Sequence, residues 1–290
     1  MTLRRILFAD DLSERAQRAG RRAVQLSGQT GADLEVVHVV EEAFPEPGAW
    51  GLPADVPNPA AQVREATEGR LRERSPDGVG AHRVVFGDSV GTLVRTADNE
   101  GFDVTVIGAH GQRFVRDWLV GTTAEQLVRH SRTPTLVVRQ EPRGPYQRIL
   151  VATDFSACAD VALRRAAEWF GTEPLRLLHV LDTSPLERMR GAGVDERLVE
   201  RHYEELVARS AHDLDAAVVR AGLEAGSVTV DQRSGYPASV LQQLAEAEGV
   251  DLVVLGNHGR GRWGGLLLGS VAGRLLHALE SDVLLVRSDD

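Results

Sequence analysis

The stretch that decides the fold is a glycine pattern that occurs twice, once in each half of the chain. Its first copy is Gly108-Ala109-His110-Gly111, nine further residues, and Gly121-Thr122; its second copy is Gly256-Asn257-His258-Gly259, nine further residues, and Gly269-Ser270. Each copy follows an apolar run that is typical of a buried β-strand. Two copies with the same spacing indicate an internal repeat.

The landmarks outside the glycine pattern recur in the same order. Residues 5–13 match residues 148–156, residues 37–39 match residues 178–180, and residues 134–139 match residues 282–287. We therefore predict two copies of one domain, residues 1–142 and 143–290. A linker that contains Pro and Gly joins them between Gln140 and Tyr146.

Length and composition exclude several classes of protein. A length of 290 residues suits two ordinary domains. No run of about eighteen apolar residues and no signal-peptide core is evident, so we expect no membrane partner and a cytoplasmic protein. The single cysteine, Cys158, fits a reducing compartment and is interpreted as a small buried residue, not as a reactive thiol. The net charge of −9, without a basic stripe, argues against nucleic acid as a partner. All basic residues are arginine, which excludes a Walker lysine and a Schiff-base lysine.

Hydrophobic periodicity predicts alternating strands and helices. In the first repeat the predicted strands are Arg4–Ala9, Leu34–Val40, Ala81–Phe86, Asp103–Ile107 and Pro134–Arg139. The first predicted helix begins at Ser13, its N-cap, and stops at Gly28 and Gly31. The other predicted helices are Ala60–Arg74, Ser89–Glu100 and Thr122–His130, and a loop is predicted at Phe44–Pro59. The second repeat has the same order, with a loop at Asp182–Val194 and a long helix at Asp195–Ala221. One face of this helix is predicted to carry the apolar residues Leu198, Leu206, Leu214 and Val218. This alternation predicts an α/β fold with a parallel sheet and helices on both faces.

The glycine loop is a candidate phosphate cradle. It lies between strand four and a helix whose first amides attract an anion, and a glycine lets a phosphate approach the backbone closely. Each loop offers two glycines and a hydroxyl donor in this order: Gly111, Gly121 and Thr122, or Gly259, Gly269 and Ser270. The plainer alternative is that the glycines serve tight turns, and the histidine in each loop either touches phosphate or braces the loop.

Two carboxylates follow strand one, at the sheet edge where open α/β sheets bind ligands. There Asp11 and Asp154 can accept a hydrogen bond from a ribose hydroxyl or orient an adenine amine. An Asx turn or a helix cap explains them equally well. The histidines inside strand two, His38 and His179, are interpreted as core residues and not as catalysts.

These residues resemble the universal stress protein family. The resemblance rests on the G-x2-G-x9-G-[S/T] pattern after a strand and on the run of residues 149–156, ILVATDFS; it spans both halves and points to the ATP-binding branch. It implies a five-stranded sheet of order 3-2-1-4-5 in each of two tandem repeats. It also implies pseudo-two-fold pairing through strand five within the chain, with a homodimer left open.

The resemblance further implies which residues hold ATP or another adenine nucleotide. Asp11 and Asp154 meet the adenosine, and the backbone of Val39 and Val180 bonds the adenine. The phosphates lie against Gly108, Gly111, Gly121 and Thr122 in one repeat and Gly256, Gly259, Gly269 and Ser270 in the other. We expect Mg²⁺ or Mn²⁺ to join the phosphate oxygens and water. Since Asp10 adds negative charge beside the first site, we expect tighter binding in the second.

Three functions remain open. The first is a stress-response regulator that binds ATP and acts through protein partners that the sequence does not identify. The second is an interaction module whose nucleotide sites are empty or structural. The third is a slow ATPase. No positioned general base or catalytic lysine is evident, so we assign no catalytic residue and expect at most slow hydrolysis.

Overall fold

The computed structural model describes residues 2–14, 16–41, 59–109, 121–171, 174–224, 226–258 and 268–288. The chain divides into two compact units, Leu3–Pro145 and a unit formed mainly by Tyr146–Asp290, here called the first and second repeat. The boundary near residue 142 and the pairing through strand five stay predictions. No helix within the described ranges is long and apolar enough to cross a membrane.

The first repeat alternates strands and helices. Its elements are β1 (Arg5–Ala9), α1 (Ala16–Thr30), β2 (Asp33–Val40), α2 (Pro59–Arg74), β3 (Ala81–Phe86), α3 (Ser89–Asn99), β4 (Val104–Gly108), α4 (Thr122–His130) and β5 (Thr135–Val138). All strand pairs are parallel: β1 lies between β2 and β4, β3 flanks β2, and β5 flanks β4. The order is therefore 3-2-1-4-5, as the resemblance implied.

The second repeat has the same sheet and, among the residues that the structure describes, one helix more than the first. Its elements are β6 (Ile149–Thr153), α5 (Ala157–Phe170), β7 (Leu175–Asp182), α6 (Ser184–Gly191), α7 (Glu196–Arg220), β8 (Thr229–Gly235), α8 (Pro237–Glu248), β9 (Leu252–Gly256), α9 (Ser270–Ala278) and β10 (Asp282–Val286). Parallel pairs place β6 between β7 and β9, with β8 and β10 outside them.

The core of each repeat lies between the sheet and its helices. The central strands are buried along almost their whole length, which is why they read as continuous apolar runs. Right-handed crossovers run outward from the central strand in opposite directions, so the helices divide between the two faces of the sheet. Consistent with this, α3 packs against α4, and α8 packs against α9.

Three expectations about local structure were wrong. Gly28 does not end α1, which continues to Thr30 and stops at Gly31, whose φ is +72°. A glycine inside a helix costs only about 1 kcal/mol, which the packing of α1 outweighs. The predicted loop at Asp182–Val194 contains α6. Leu198, grouped with the apolar face of α7, is 52% exposed, and the neighbouring Val199 is buried instead. The predicted loop at Phe44–Pro59 lies almost wholly outside the described residues.

Candidate functional site

A tight turn follows β1 in the first repeat, and two carboxylates shape it. Asp10 Oδ1 accepts a hydrogen bond from the Leu12 amide at 2.7 Å, and Asp11 Oδ1 accepts one from the Ser13 amide at 3.0 Å. The Ser13 hydroxyl then accepts from the Ala16 amide at 3.0 Å, which caps α1. Asp11 therefore forms the Asx turn that was one of the two alternatives. A contact of the same carboxylate with a ligand stays a prediction.

The second repeat builds the same turn with one different side chain. Asp154 Oδ1 accepts from the Ser156 amide at 3.0 Å, and the Ser156 hydroxyl caps α5. The Thr153 hydroxyl accepts from the Phe155 amide at 2.9 Å. Thr153 stands where the first repeat has Asp10, so a hydroxyl and a carboxylate serve as equivalent acceptors in this turn.

Each turn holds a bulky residue in left-handed backbone conformation. The φ angle is 62° at Leu12 and 63° at Phe155. Such a conformation costs a bulky L-residue about 1 to 3 kcal/mol and persists only where surrounding contacts hold it. The side-chain hydrogen bonds of the turn supply those contacts in both repeats. The strain therefore marks a turn whose shape is fixed in advance.

The strand-two histidines support this turn. His38 Nδ1 lies 2.6 Å from the Asp10 carbonyl oxygen, and His179 Nδ1 lies 2.9 Å from that of Thr153. A carbonyl oxygen only accepts, so Nδ1 carries the proton and donates in both. The Phe155 ring also stacks on His179, with ring centroids 4.3 Å apart. These contacts give the histidines a structural role.

Each glycine loop is fixed at both ends by one residue. The Ala109 amide donates to the last carbonyl of β5 at 2.9 Å, and the Ala109 carbonyl accepts from the Gly121 amide at 2.7 Å. In the second repeat Asn257 makes the corresponding bonds, to β10 at 2.7 Å and with Gly269 at 2.9 Å. The beginning and the end of the loop are therefore held side by side at the carboxyl edge of the sheet.

The helices that follow the loops begin without a side-chain cap. Gly121 is the N-cap of α4 and Gly269 that of α9, both with ψ near 147°, and neither glycine offers a side-chain acceptor to the first turn. The first amides of a helix have no partner within it and carry the positive end of its dipole. Each helix start thus presents backbone donors beside the loop, an arrangement that suits an anion.

The aspartate turn and the glycine loop lie at the same edge of the sheet. Because β1 pairs with β4, and β6 with β9, the turn after one strand adjoins the loop after the other. In the second repeat the Ser156 hydroxyl donates to the His258 carbonyl at 3.3 Å, which links the two segments directly. Strands one and four are therefore neighbours in each repeat, as the implied order 3-2-1-4-5 predicts.

Gly256 has a packing role that the sequence did not reveal. A Cβ at this position would lie 2.9 Å from the Cβ of Cys158 and 3.0 Å from the amide nitrogen of Ala159. The missing side chain lets the start of α5 approach β9 closely. The same contact buries Cys158, which is 6% exposed, in line with its interpretation as a small buried residue. A phosphate contact at Gly256 stays a prediction.

Asp10 is part of the turn, where its carboxyl is buried. It is 8% exposed, and burial raises the pKa of its carboxyl, as does the charge of Asp11. The bond from Leu12 and the charges of Arg74 and His38 act in the opposite direction. Arg74 Nη2 also donates to the Ser13 carbonyl at 2.9 Å, so the first turn has its own cation. The repulsion expected from Asp10 is therefore reduced.

The remaining candidates divide into two groups. Val39 and Val180 lie near the carboxyl ends of β2 and β7, one residue after the strand histidines, where their backbone adjoins the turn. Their bonds to a base stay predictions, as do the roles of Gly108 and Ser270. Gly111 and Gly259 lie outside the described residues, as does the side chain of Thr122.

Across the described part of the chain, no group of three or more His, Cys, Asp or Glu side chains is arranged to hold a metal ion.

Comparison with known proteins assigns the chain to a family. The family model described as the universal stress protein family matches residues 2–139 and again residues 145–287. The universal stress protein Rv1996 of Mycobacterium tuberculosis is 30% identical over 242 residues, which cover 79% of this chain and 73% of that protein. Rv2005c of the same organism is 28% identical over 281 residues, covering 88% and 87%.

Solved structures agree at the level of the fold. A putative universal stress protein from Pseudomonas aeruginosa superposes with a TM-score of 0.66 at 19% identity, covering 99% of this chain and 94% of that one. A universal stress protein from Archaeoglobus fulgidus gives a TM-score of 0.62 at 19% identity and covers 99% of both chains. With the same family model matched once in each repeat, the chain belongs to the universal stress protein family.

Proposed function

We propose that each repeat binds one adenine nucleotide, with ATP as the ligand, and that the protein is a nucleotide-dependent regulator of a cytoplasmic stress response. The observation that carries this proposal is the closed glycine loop. One backbone hydrogen bond, from Gly121 to Ala109 or from Gly269 to Asn257, joins the two ends of the loop at an uncapped helix start beside the aspartate turn. A polyphosphate fits such a set of backbone donors without any lysine.

The site residues act at three places in this proposal. Asp11 and Asp154 bond the adenosine, using a carboxylate that the Asx turn already orients. The backbone of Val39 and Val180 bonds the adenine at the carboxyl ends of β2 and β7. The phosphates lie against the loop glycines, the helix amides and the hydroxyl residues, namely Gly108, Gly111, Gly121 and Thr122, and Gly256, Gly259, Gly269 and Ser270. Mg²⁺ or Mn²⁺ binds with the nucleotide through phosphate oxygens and water.

Calorimetry with ATP and Mg²⁺ tests the proposal. The wild-type protein is expected to bind two nucleotides, whereas Gly111→Val and Gly259→Val each leave one site, because a branched side chain occupies the space that phosphate needs. Gly28→Val is the matched control, since a Cβ at Gly28 meets no atom within 4 Å. Binding that is unchanged in both loop variants would remove the glycine loops from the proposal.

Turnover separates a regulator from an enzyme. No catalytic base is assigned in either repeat, so we expect ATP hydrolysis below the roughly 1 s⁻¹ lower end of typical enzyme rates. Steady-state phosphate release at saturating ATP measures this directly. A rate of tens per second that is lost in Gly259→Val would replace the regulator with an ATPase.

A further inference from the structure

The two helices that follow the glycine loops carry different charges. The first turn of α4 contains Glu125, which binds Arg129 at 2.6 Å, and the next residue is the exposed Gln126. The first turn of α9 contains no acid. Gly273 and the exposed Arg274 stand at the corresponding positions. The start of α4 therefore has a carboxylate where α9 has a glycine. At the next position, α4 has a side-chain amide where α9 has a guanidinium.

A tyrosine holds Arg274 in place. Arg274 Nη1 donates to the Tyr236 hydroxyl at 2.9 Å, and the guanidinium carbon lies 5.2 Å from the centroid of the Tyr236 ring. Tyr236 is the N-cap of α8, and its side chain remains 45% exposed although it is large and aromatic. The hydrogen bond and the cation–π contact together restrict a side chain that is otherwise flexible.

This pair borders the proposed second site. Tyr236 directly follows Gly235, which pairs in register with Asp182 at the carboxyl end of β7, the strand that carries Val180. Arg274 lies four residues after Ser270, on the same face of α9, and helical side chains lean toward the helix N-terminus. The contact with Tyr236 therefore fixes Arg274 on the side of α9 that also carries Ser270, the phosphate candidate at the start of that helix.

The first repeat has an anion where the second has Tyr236. Asp88 is the N-cap of α3 and accepts from the Gly91 amide at 2.7 Å. No cation replaces Arg274 there, because the corresponding residue is Gln126. Each glycine loop contains two arginines between its glycines. At the helix starts that the structure describes, the first repeat thus carries Asp88 and Glu125 where the second carries Tyr236 and Gly273.

We propose that Arg274, positioned by Tyr236, makes the second repeat selective for the triphosphate over the monophosphate, and that the first repeat lacks this selectivity. The proposal rests on the proposed nucleotide binding and adds which site distinguishes phosphate number. A fixed guanidinium attracts a ligand more strongly as the ligand's negative charge rises. Asp88 opposes the same increase in the first repeat, whereas the charge of Glu125 is balanced by Arg129.

The test measures ATP and AMP affinities one site at a time. In the Gly111→Val background, which isolates the second site, Arg274→Gln introduces the first-repeat residue and is expected to weaken ATP binding about tenfold. AMP affinity should fall much less, so the ratio of the two affinities falls. Tyr236→Phe removes only the hydroxyl acceptor and should move the ratio in the same direction by a smaller factor. Arg148→Gln, at the amino end of β6, is the charge-matched control and should leave the ratio unchanged.

The reciprocal variant tests whether a tyrosine and an arginine at these two positions are enough to make the first site selective for ATP. In the Gly259→Val background, Asp88→Tyr combined with Gln126→Arg should raise the ATP-to-AMP ratio of the first site. An unchanged ratio in Arg274→Gln, or an equal loss of ATP and AMP affinity, would overturn the role of Arg274 while leaving the proposed function intact. Failure of either background to bind any adenine nucleotide would instead overturn the proposed function itself.

Discussion

The amino ends of the strands carry the same charged cluster in both repeats, but the charges are exchanged between strands. In the first repeat Arg83 on β3 bonds Glu35 on β2 at 2.7 Å; in the second, Arg176 on β7 bonds Asp231 on β8. A glutamate forms a second ion pair with each arginine: Glu100, at the end of α3, with Arg83, and Glu248, at the end of α8, with Arg176. The arginine lies on the edge strand in one repeat and on its inner neighbour in the other.

The carboxyl ends follow a different rule. There the same residue types occupy the same positions and make the same bonds: Asp11 and Asp154 form the turn, and Ser13 and Ser156 cap the helix. At the amino ends the fold needs only one cation between two anions, so either strand can supply it. At the carboxyl ends the strained turn needs an acceptor at each of its defined positions, and only the first of these differs in residue type, Asp10 in one repeat and Thr153 in the other.

The largest effect is expected where the two repeats use one identical device. Asp103 Oδ2 accepts from the amides of Arg4 and Arg5, and Asp251 Oδ2 accepts from those of Gln147 and Arg148, all at 2.7 to 2.9 Å. Each Asp→Ala variant loses two charge-assisted bonds, and we expect the free energy of unfolding to fall by about 2 to 3 kcal/mol.

Urea denaturation measures the loss, and hydrogen exchange reports which repeat opens. The Asp→Asn variants keep one acceptor oxygen and should lose less. If only one of Asp103→Ala and Asp251→Ala lowered the free energy of unfolding, the two aspartates would not contribute equally to stability despite their identical hydrogen bonds.

A smaller effect is expected from exchanging the charges of the first cluster. Glu35→Arg places a second guanidinium beside Arg83 and should lower the free energy of unfolding by about 1 to 2 kcal/mol, because the pair is only partly exposed. Adding Arg83→Asp reproduces the arrangement of the second repeat, with the arginine on the inner strand, and should recover most of the lost free energy of unfolding. A double-mutant cycle measures the coupling, and no recovery in the double variant would refute the claim that the strands are interchangeable.

The smallest effect concerns Asp10, where the turns differ. The raised pKa of this buried carboxyl means that the folded state keeps its proton to a higher pH than the unfolded chain does. Stability is therefore lost as pH rises from the usual aspartate pKa to the raised one. Asp10→Thr, the residue of the second repeat, should stabilise the protein at neutral pH, and the gain should vanish on acidification. Thermal unfolding between pH 3 and pH 7 checks this; a gain independent of pH would contradict it.

The sequence predicted the features that depend on local pattern. Apolar runs located the strands, and the predicted helix at Thr122–His130 has the observed bounds. Ser13 was correctly predicted to cap α1. The short helix α6 was missed because its only buried apolar residue is Leu186, which leaves no amphipathic period to detect.

The contacts that shape the site join distant segments, which a local pattern cannot reveal. Arg74 reaches the Ser13 carbonyl across 61 residues, and Ser156 reaches His258 across 102. The anchoring bonds of Ala109 and Asn257 use backbone atoms and leave no mark on residue type. Arg274 and Tyr236 likewise read as ordinary surface residues until the fold brings α8 and α9 together.

The central claim is that both repeats hold an adenine nucleotide at the closed glycine loop. Native mass spectrometry of the intact chain with ATP and Mg²⁺ counts bound nucleotides directly. We expect two per chain in the wild type, one in Gly111→Val and in Gly259→Val, and none in the double variant, with two retained in Gly28→Val. A wild-type chain that binds none, or a double variant that still binds two, would contradict the account.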